Sequence, residues 1–191
     1  GGTASIFGEA IDWLKNGGIV NQVYKVNPQI PLEMYKDLAS FKLYMNDVGL
    51  FVNKAGYPLY QIDLSEQPTM ISMGPLTEHF VAGELKKKGY ELYYWESDGK
   101  ADLDFVIQKD TDIIPIEVKT NIHVKARSLD LYMKTYNPRY GVRISEKSKD
   151  YIIDNKKDLT LTAHAPFYVN LNSNEEEKIT ASIERICETA K

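Results

Sequence analysis

This sequence is poor in several things, and each shortage removes a class of explanation. Its 191 residues hold one cysteine, Cys187, which excludes an internal disulfide framework and a cysteine-based zinc site and suits a reducing, cytoplasmic compartment. Its three histidines, His79, His123 and His164, lack metal-ligand spacing and read as surface residues. No run of about 18 apolar residues exists, so nothing here reads as a membrane span. No global basic excess exists either: 23 Lys and Arg stand against 27 Asp and Glu, a net charge of −4, so contact with nucleic acid needs a local patch. Gly1-Gly2, with neither an initiator Met nor a charged n-region, reads as an expression scar on a piece of something longer. What is present is a hydrophobic fraction of 43%, enough for the core of one domain, or of one domain plus a fragment of another.

Hydrophobic spacing organises the chain. Ile6, Phe7, Ala10, Ile11 and Leu14 recur at helical intervals, predicting a helix over Ala4–Asn16 stopped by Gly17-Gly18. Ile19–Val26 and Phe41–Met45 read as strands separated by a turn-rich break, with a short turn or helix at Asp47–Leu50. Helix, strand, long connection and strand are what a winged helix leaves when its front is cut away; an α/β lead-in to the main domain has the same pattern. Residues 53–74 are the least periodic stretch, so a boundary is expected there: a partial winged-helix-like segment over 1–55 and the main domain over 56–191. In the latter, Leu76–Lys88 is predicted as a helix ended by Gly89, and Lys125–Tyr136 as another ended by Asn137-Pro138. Glu91–Glu96, Ala101–Gln108, Ile113–Lys119, Tyr140–Ile144 and Phe167–Leu171 are predicted as strands, with a polar helix over Asn174–Thr189. This order implies an α/β core with a mixed sheet flanked by helices.

Two of these strands carry candidate chemistry. Alternation places Ala101, Leu103, Phe105 and Ile107 on one face and Asp102, Asp104 and Val106 on the other. In the next strand Ile114, Ile116 and Val118 share a face, against Ile113, Pro115, Glu117 and Lys119. A tight hairpin centred on Asp110-Thr111 pairs Lys109 with Asp112; continued, that register sets Asp104 opposite Glu117 and Asp102 opposite Lys119. Like charges directly opposed across strands destabilise a sheet, so the pair calls for a hard divalent cation such as Mg²⁺ or Mn²⁺. The preceding helix adds acids: Glu78 at the edge of the stripe formed by Leu76, Phe80, Val81 and Leu85, and Glu84 nearer its middle. A carboxylate leaning toward a core needs a partner or a metal. Carboxylates that hold Mg²⁺, with a lysine to steady developing charge, suit phosphodiester hydrolysis.

The spacing Glu78…Asp104-x12-Glu117-Val118-Lys119 resembles the PD-(D/E)XK nuclease pattern of restriction enzymes and archaeal Holliday-junction resolvases. More closely, the chain resembles the C-terminal domain of unknown function found on many bacterial and archaeal AAA-type ATPases. The matching stretches are Phe41–Leu50, Leu76–Val81, Leu92–Trp95, Asp102–Ile107 and Pro115–Lys119, which span most of residues 5–145. One departure is Asp102, where Glu is expected. The resemblance implies a restriction-endonuclease-like core preceded by a winged-helix remnant. It implies catalytic Glu78, Asp104, Glu117 and Lys119, the three acids among them as metal ligands, and DNA as partner. An upstream ATPase module that binds ATP is also implied; this chain has no GxxxxGK[ST] phosphate loop.

Plainer readings stand beside these. Asp104, Glu117 and Lys119 could form a solvated salt-bridge cluster, and Glu84 could pair with a tyrosine or lysine. Tyr93, Tyr94 and Trp95 read as core and edge packing rather than base-stacking platforms. Lys119–Lys149 holds eight Lys and Arg against Asp130 and Glu146. With Lys125, Arg127 and Arg143 foremost, it is a phosphate-backbone surface if it faces the acids, and a solvated helix and loop if it does not. An active nuclease and a non-catalytic module recognising DNA or protein both remain open.

Overall fold

The computed structural model describes residues 4–57, 74–97, 99, 101–119, 127–145, 158–162 and 168–173. Helix α1, Ala4–Asn16, ends where Gly18 turns left-handed (φ 68°) and the Ile19 N–H closes on the Leu14 carbonyl. Strands β1, Val20–Val26, and β2, Lys36–Met45, form an antiparallel hairpin around a 3-10 turn, Leu32–Tyr35. Asp47 caps helix α2, Val48–Ala55, by accepting the Leu50 N–H at 2.6 Å. Helix α3, Gly74–Lys87, stops at Gly89 (φ 84°). Strands β3, Tyr93–Glu96, β4, Asp102–Lys109, and β5, Asp112–Lys119, follow as a meander. Helix α4, Arg127–Tyr136, then crosses to β6, Tyr140–Ser145, which runs parallel to β5. Strands β7, Asp158–Thr162, and β8, Tyr168–Ser173, complete the set.

The eight described strands form one mixed sheet in the order β2-β1-β3-β4-β5-β6-β8-β7, flanked by helices. Two cores line it. One gathers Val81 and Ala82 of α3 with Tyr44, Tyr94, Phe105, Ile116 and Val142. The other gathers Leu129 and Tyr132 of α4 with Tyr93, Trp95, Leu103 and Val106. Tyr93, Tyr94 and Trp95 are all buried, as the packing reading requires. Among the described residues no helix is long and apolar enough to cross a membrane.

Several expectations shift. Strand β2 begins at Lys36, five residues before Phe41, because Lys36 and Asp37 pair with Val26 and Lys25 beyond an irregularity at Tyr24/Lys25. Strand β7 is an addition to the expected strands, and the polar helix expected over 174–189 lies outside the described residues. The boundary expected at 55/56 falls within one hydrogen-bonded sheet, because β1 pairs in parallel with β3 through Tyr24↔Tyr93 and Lys25↔Tyr94.

Candidate functional site

The β4–β5 hairpin turns tightly at Asp110-Thr111, with Asp110 at φ 55°. Its register is the one the turn predicts: Lys109↔Asp112, Ile107↔Ile114, Phe105↔Ile116. The paired ladder ends at Phe105↔Ile116, one residue short of Asp104 and Glu117, where the Asp104 carboxylate rather than its backbone meets β5 at the Val118 N–H. There the strand departs from simple alternation. Against β3 the pairing moves from Tyr93↔Val106 to Trp95↔Leu103, so β4 carries one extra residue. The bulge puts Leu103 in the α4-side core with Val106, while Phe105 stays on the α3 side. The common face expected for Leu103, Phe105 and Ile107 is therefore broken. Such bulges re-aim side chains locally, and this one lies at Asp104.

Asp104 is 8% exposed, and its carboxylate accepts the Val118 N–H at 2.6 Å. Burial raises its pKa to about 6, with the Glu78 charge adding to the rise and the Val118 N–H and Lys119 opposing it. Glu117 is 1% exposed. Its Oε1 lies 2.6 Å from the Lys119 ammonium, while Oε2 is buried without a hydrogen-bond partner among the described residues. Burial pushes the Glu117 pKa up against the pull of Lys119. For Lys119, burial works downward, but the hydrogen bond and charge of Glu117, with Asp104 and Glu78 behind it, hold its pKa above the ordinary value. Glu78 is half-buried and raised chiefly by burial; the Tyr44 hydroxyl donates to its Oε2 at 3.4 Å.

Sequence reasoning missed two contributors from β2. Tyr44, 3% exposed, packs its ring against Phe105 and His79 and turns its hydroxyl to Glu78. Lys42 crosses the Tyr94 ring, 4.6 Å from its centroid, and grips both carboxylate oxygens of Asp102 at 3.1 and 2.9 Å. Asp102, expected opposite Lys119, is thus held by Lys42 instead. The only sequence signal for these two is their place in the Phe41–Leu50 stretch.

Other candidates disperse. Glu84 points outward to an ion pair with Lys87 at 2.6 Å, so the inward-leaning reading fails. His79 is no simple surface residue: it stacks on Phe51 at 3.7 Å between centroids. Lys125 lies outside the described residues, as do His123 and His164. Arg127 is exposed at the start of α4. Arg143 is half-buried on β6, in register with Glu117. Arg139 pairs with Asp112 at 3.3 Å, at the turn end of β5 and away from Glu117. Of the described basic residues, Lys119 and Arg143 therefore lie beside Glu117, and Arg139 is engaged at the turn end of β5.

The donor set is entirely hard oxygen, which suits Mg²⁺ or Mn²⁺ rather than zinc. Among the described residues no group of three or more His, Cys, Asp or Glu could hold a metal ion. Of these acids, Asp104 and Glu117 are the residues that could hold such an ion, with Glu117 Oε2, unpartnered among the described residues, as one donor. Glu78 joins the same electrostatic cluster, but its carboxylate is engaged by Tyr44.

No solved structure matches this chain. A stretch of 51 residues is 47% identical to an uncharacterised protein of Methanocaldococcus jannaschii, covering 27% of this chain and only 19% of that protein. Residues 73–164, which contain α3, the β4–β5 hairpin and α4, match the family described as DUF4143, a domain of unknown function.

Proposed function

We propose that this chain is a nuclease-like domain of the PD-(D/E)XK kind. On this reading it belongs to the C-terminal part of a cytoplasmic AAA-type ATPase, and its upstream module binds ATP. Asp104, Glu117 and Lys119 act on DNA phosphodiesters with Mg²⁺ or Mn²⁺, and Glu78 supports them. The observation that carries the reading is the buried pair Asp104 and Glu117 on adjacent strands, with Lys119 two residues beyond and one Glu117 oxygen without a partner among the described residues. A buried carboxylate oxygen with no donor is costly unless a cation or donor arrives. Bound there, the metal would polarise a phosphoryl oxygen and acidify a water. Asp104, anchored by the Val118 N–H, keeps its carboxylate at a fixed place. Lys119 neutralises Glu117 and, released from it, would face the negative charge that develops on the phosphoryl group.

A second reading is a catalytically inactive module that recognises DNA or protein for the ATPase. It draws support from the lack of a three-carboxylate ligand group among the described residues and from the tie of Lys119 to Glu117. Mn²⁺ titration with thermal melting, followed by cleavage assays on linear and branched DNA, separates the two. The nuclease reading expects Mn²⁺ to raise the melting temperature by mass action, and Asp104→Asn to abolish that rise. It expects cleavage that disappears in Lys119→Ala and Glu117→Gln while binding persists. Binding without metal-dependent cleavage, in the full-length ATPase supplied with ATP, favours the recognition module.

A further inference from the structure

We propose that Lys42 is a second phosphodiester-contacting lysine, standing at the rim of the acidic site; this rests on the nuclease-like reading and deepens it. Four carboxylates, Glu78, Asp102, Asp104 and Glu117, act on one another here, and an anionic backbone approaching them must meet positive charge. Lys119 pairs with Glu117 and Lys42 with Asp102, and the charges of both pull down the pKa values of Asp104 and Glu78. Their situations differ. The partner of Lys119 is the buried Glu117, 1% exposed. The partner of Lys42 is Asp102, whose side chain is 52% exposed. Surface ion pairs contribute little and exchange readily. A phosphate oxygen can therefore replace Asp102 on Lys42 at small cost. The Lys42 ammonium itself lies over the Tyr94 ring, 4.6 Å from its centroid, a contact independent of Asp102 that keeps it at the rim when Asp102 lets go. Lys42 and Asp102 lie 60 residues apart and on non-adjacent strands; nothing in either strand alone implies their contact.

The test is duplex DNA affinity measured across a salt series in the full chain, with two remote variants as charge controls. Lys86→Met and Glu91→Gln serve, since those residues pair with each other away from the site. Lys42→Met is expected to weaken binding across all sequences and to reduce the slope of log affinity against log salt by about 0.9, the loss of one phosphate contact. Lys42→Arg should retain the slope. Asp102→Asn should raise affinity more than Glu91→Gln, because it frees Lys42 as well as removing a charge. If Lys42→Met is misfolded by circular dichroism, Asp102→Asn decides. A Lys42→Met slope change no larger than that of Lys86→Met, or equal effects of Asp102→Asn and Glu91→Gln, overturns the proposal. Metal binding at Asp104 in the same preparation would then leave the nuclease-like reading standing. A wild-type chain that binds neither Mn²⁺ nor duplex overturns both.

Discussion

Asp104 holds its proton up to about pH 6 in the folded protein, whereas in the unfolded chain it ionises near 3.8. Between those values the folded state binds more protons, so its contribution to stability falls as pH rises and is flat above about 6. At about 1.4 kcal/mol per pH unit, the displacement corresponds to about 3 kcal/mol lost. Glu78 and Glu117 are displaced in the same direction. Glu33 is held low by hydrogen bonds from Lys36 and Tyr93 and acts the opposite way. The informative quantity is therefore the difference between wild type and Asp104→Asn. Urea unfolding of the metal-free protein from about pH 4 to 7 should show the variant gaining on wild type as pH rises. Equal slopes for both would remove Asp104 as the cause. Tyr132 offers a second test. Its ring packs edge-on against Trp95 at 5.2 Å, and its buried hydroxyl has no hydrogen-bond partner among the described residues. An unsatisfied buried hydroxyl costs about 1–3 kcal/mol, so Tyr132→Phe should raise stability by about 1 kcal/mol in the same assay.

At the scale of elements, the two helices approach the sheet through glycines of different kinds. A Cβ on Gly141 of β6 would lie 2.9 Å from both Leu129 Cδ1 and Met133 Sδ of α4, with Pro115 of β5 at 3.4 Å. A side chain there must push the buried Leu129 and the Met133 side chains of α4 aside. Gly141→Val should force α4 outward and destabilise by about 1–3 kcal/mol. Gly83 of α3 differs, since its Cβ would meet only the Asn46 carbonyl at an ordinary 3.7 Å. Gly83→Ala should be neutral or stabilising by up to about 1 kcal/mol, the helix-propensity difference. Thermal melts of both variants check the contrast; a destabilised Gly83→Ala would mean that α3 packs closer than described.

Across the whole molecule, the first 55 residues act as part of the sheet. They supply Val23, Val26, Leu32 and Tyr44 to the two cores. Their β1 also covers the flank of β3, a strand of only four residues. A chain shortened to residues 56–191 is therefore expected to lose cooperative unfolding, measured by circular dichroism in urea; a sharp transition near that of the full chain would restore the two-domain organisation expected from the break in periodicity over 53–74. What the sequence by itself determined is the part governed by short-range rules. Period-two alternation over 112–119 and a two-residue turn at Asp110-Thr111 set the hairpin register from Lys109↔Asp112 to Phe105↔Ile116. Helix stops at Gly18 and Gly89 were legible for the same reason, since each needs a left-handed residue at a helix end. Only the tertiary structure decided the rest. The bulge that moves Leu103 to the α4 side arises from β4 being matched to β3, not from β4 alone. The outward turn of Glu84 arises from a helix whose buried face centres on Val81 and Ala82. Tyr44 reaches Glu78 and Lys42 reaches Asp102 across 34 and 60 residues of chain. Such contacts depend on strand order, and strand order is a property of the assembled sheet that no local periodicity encodes.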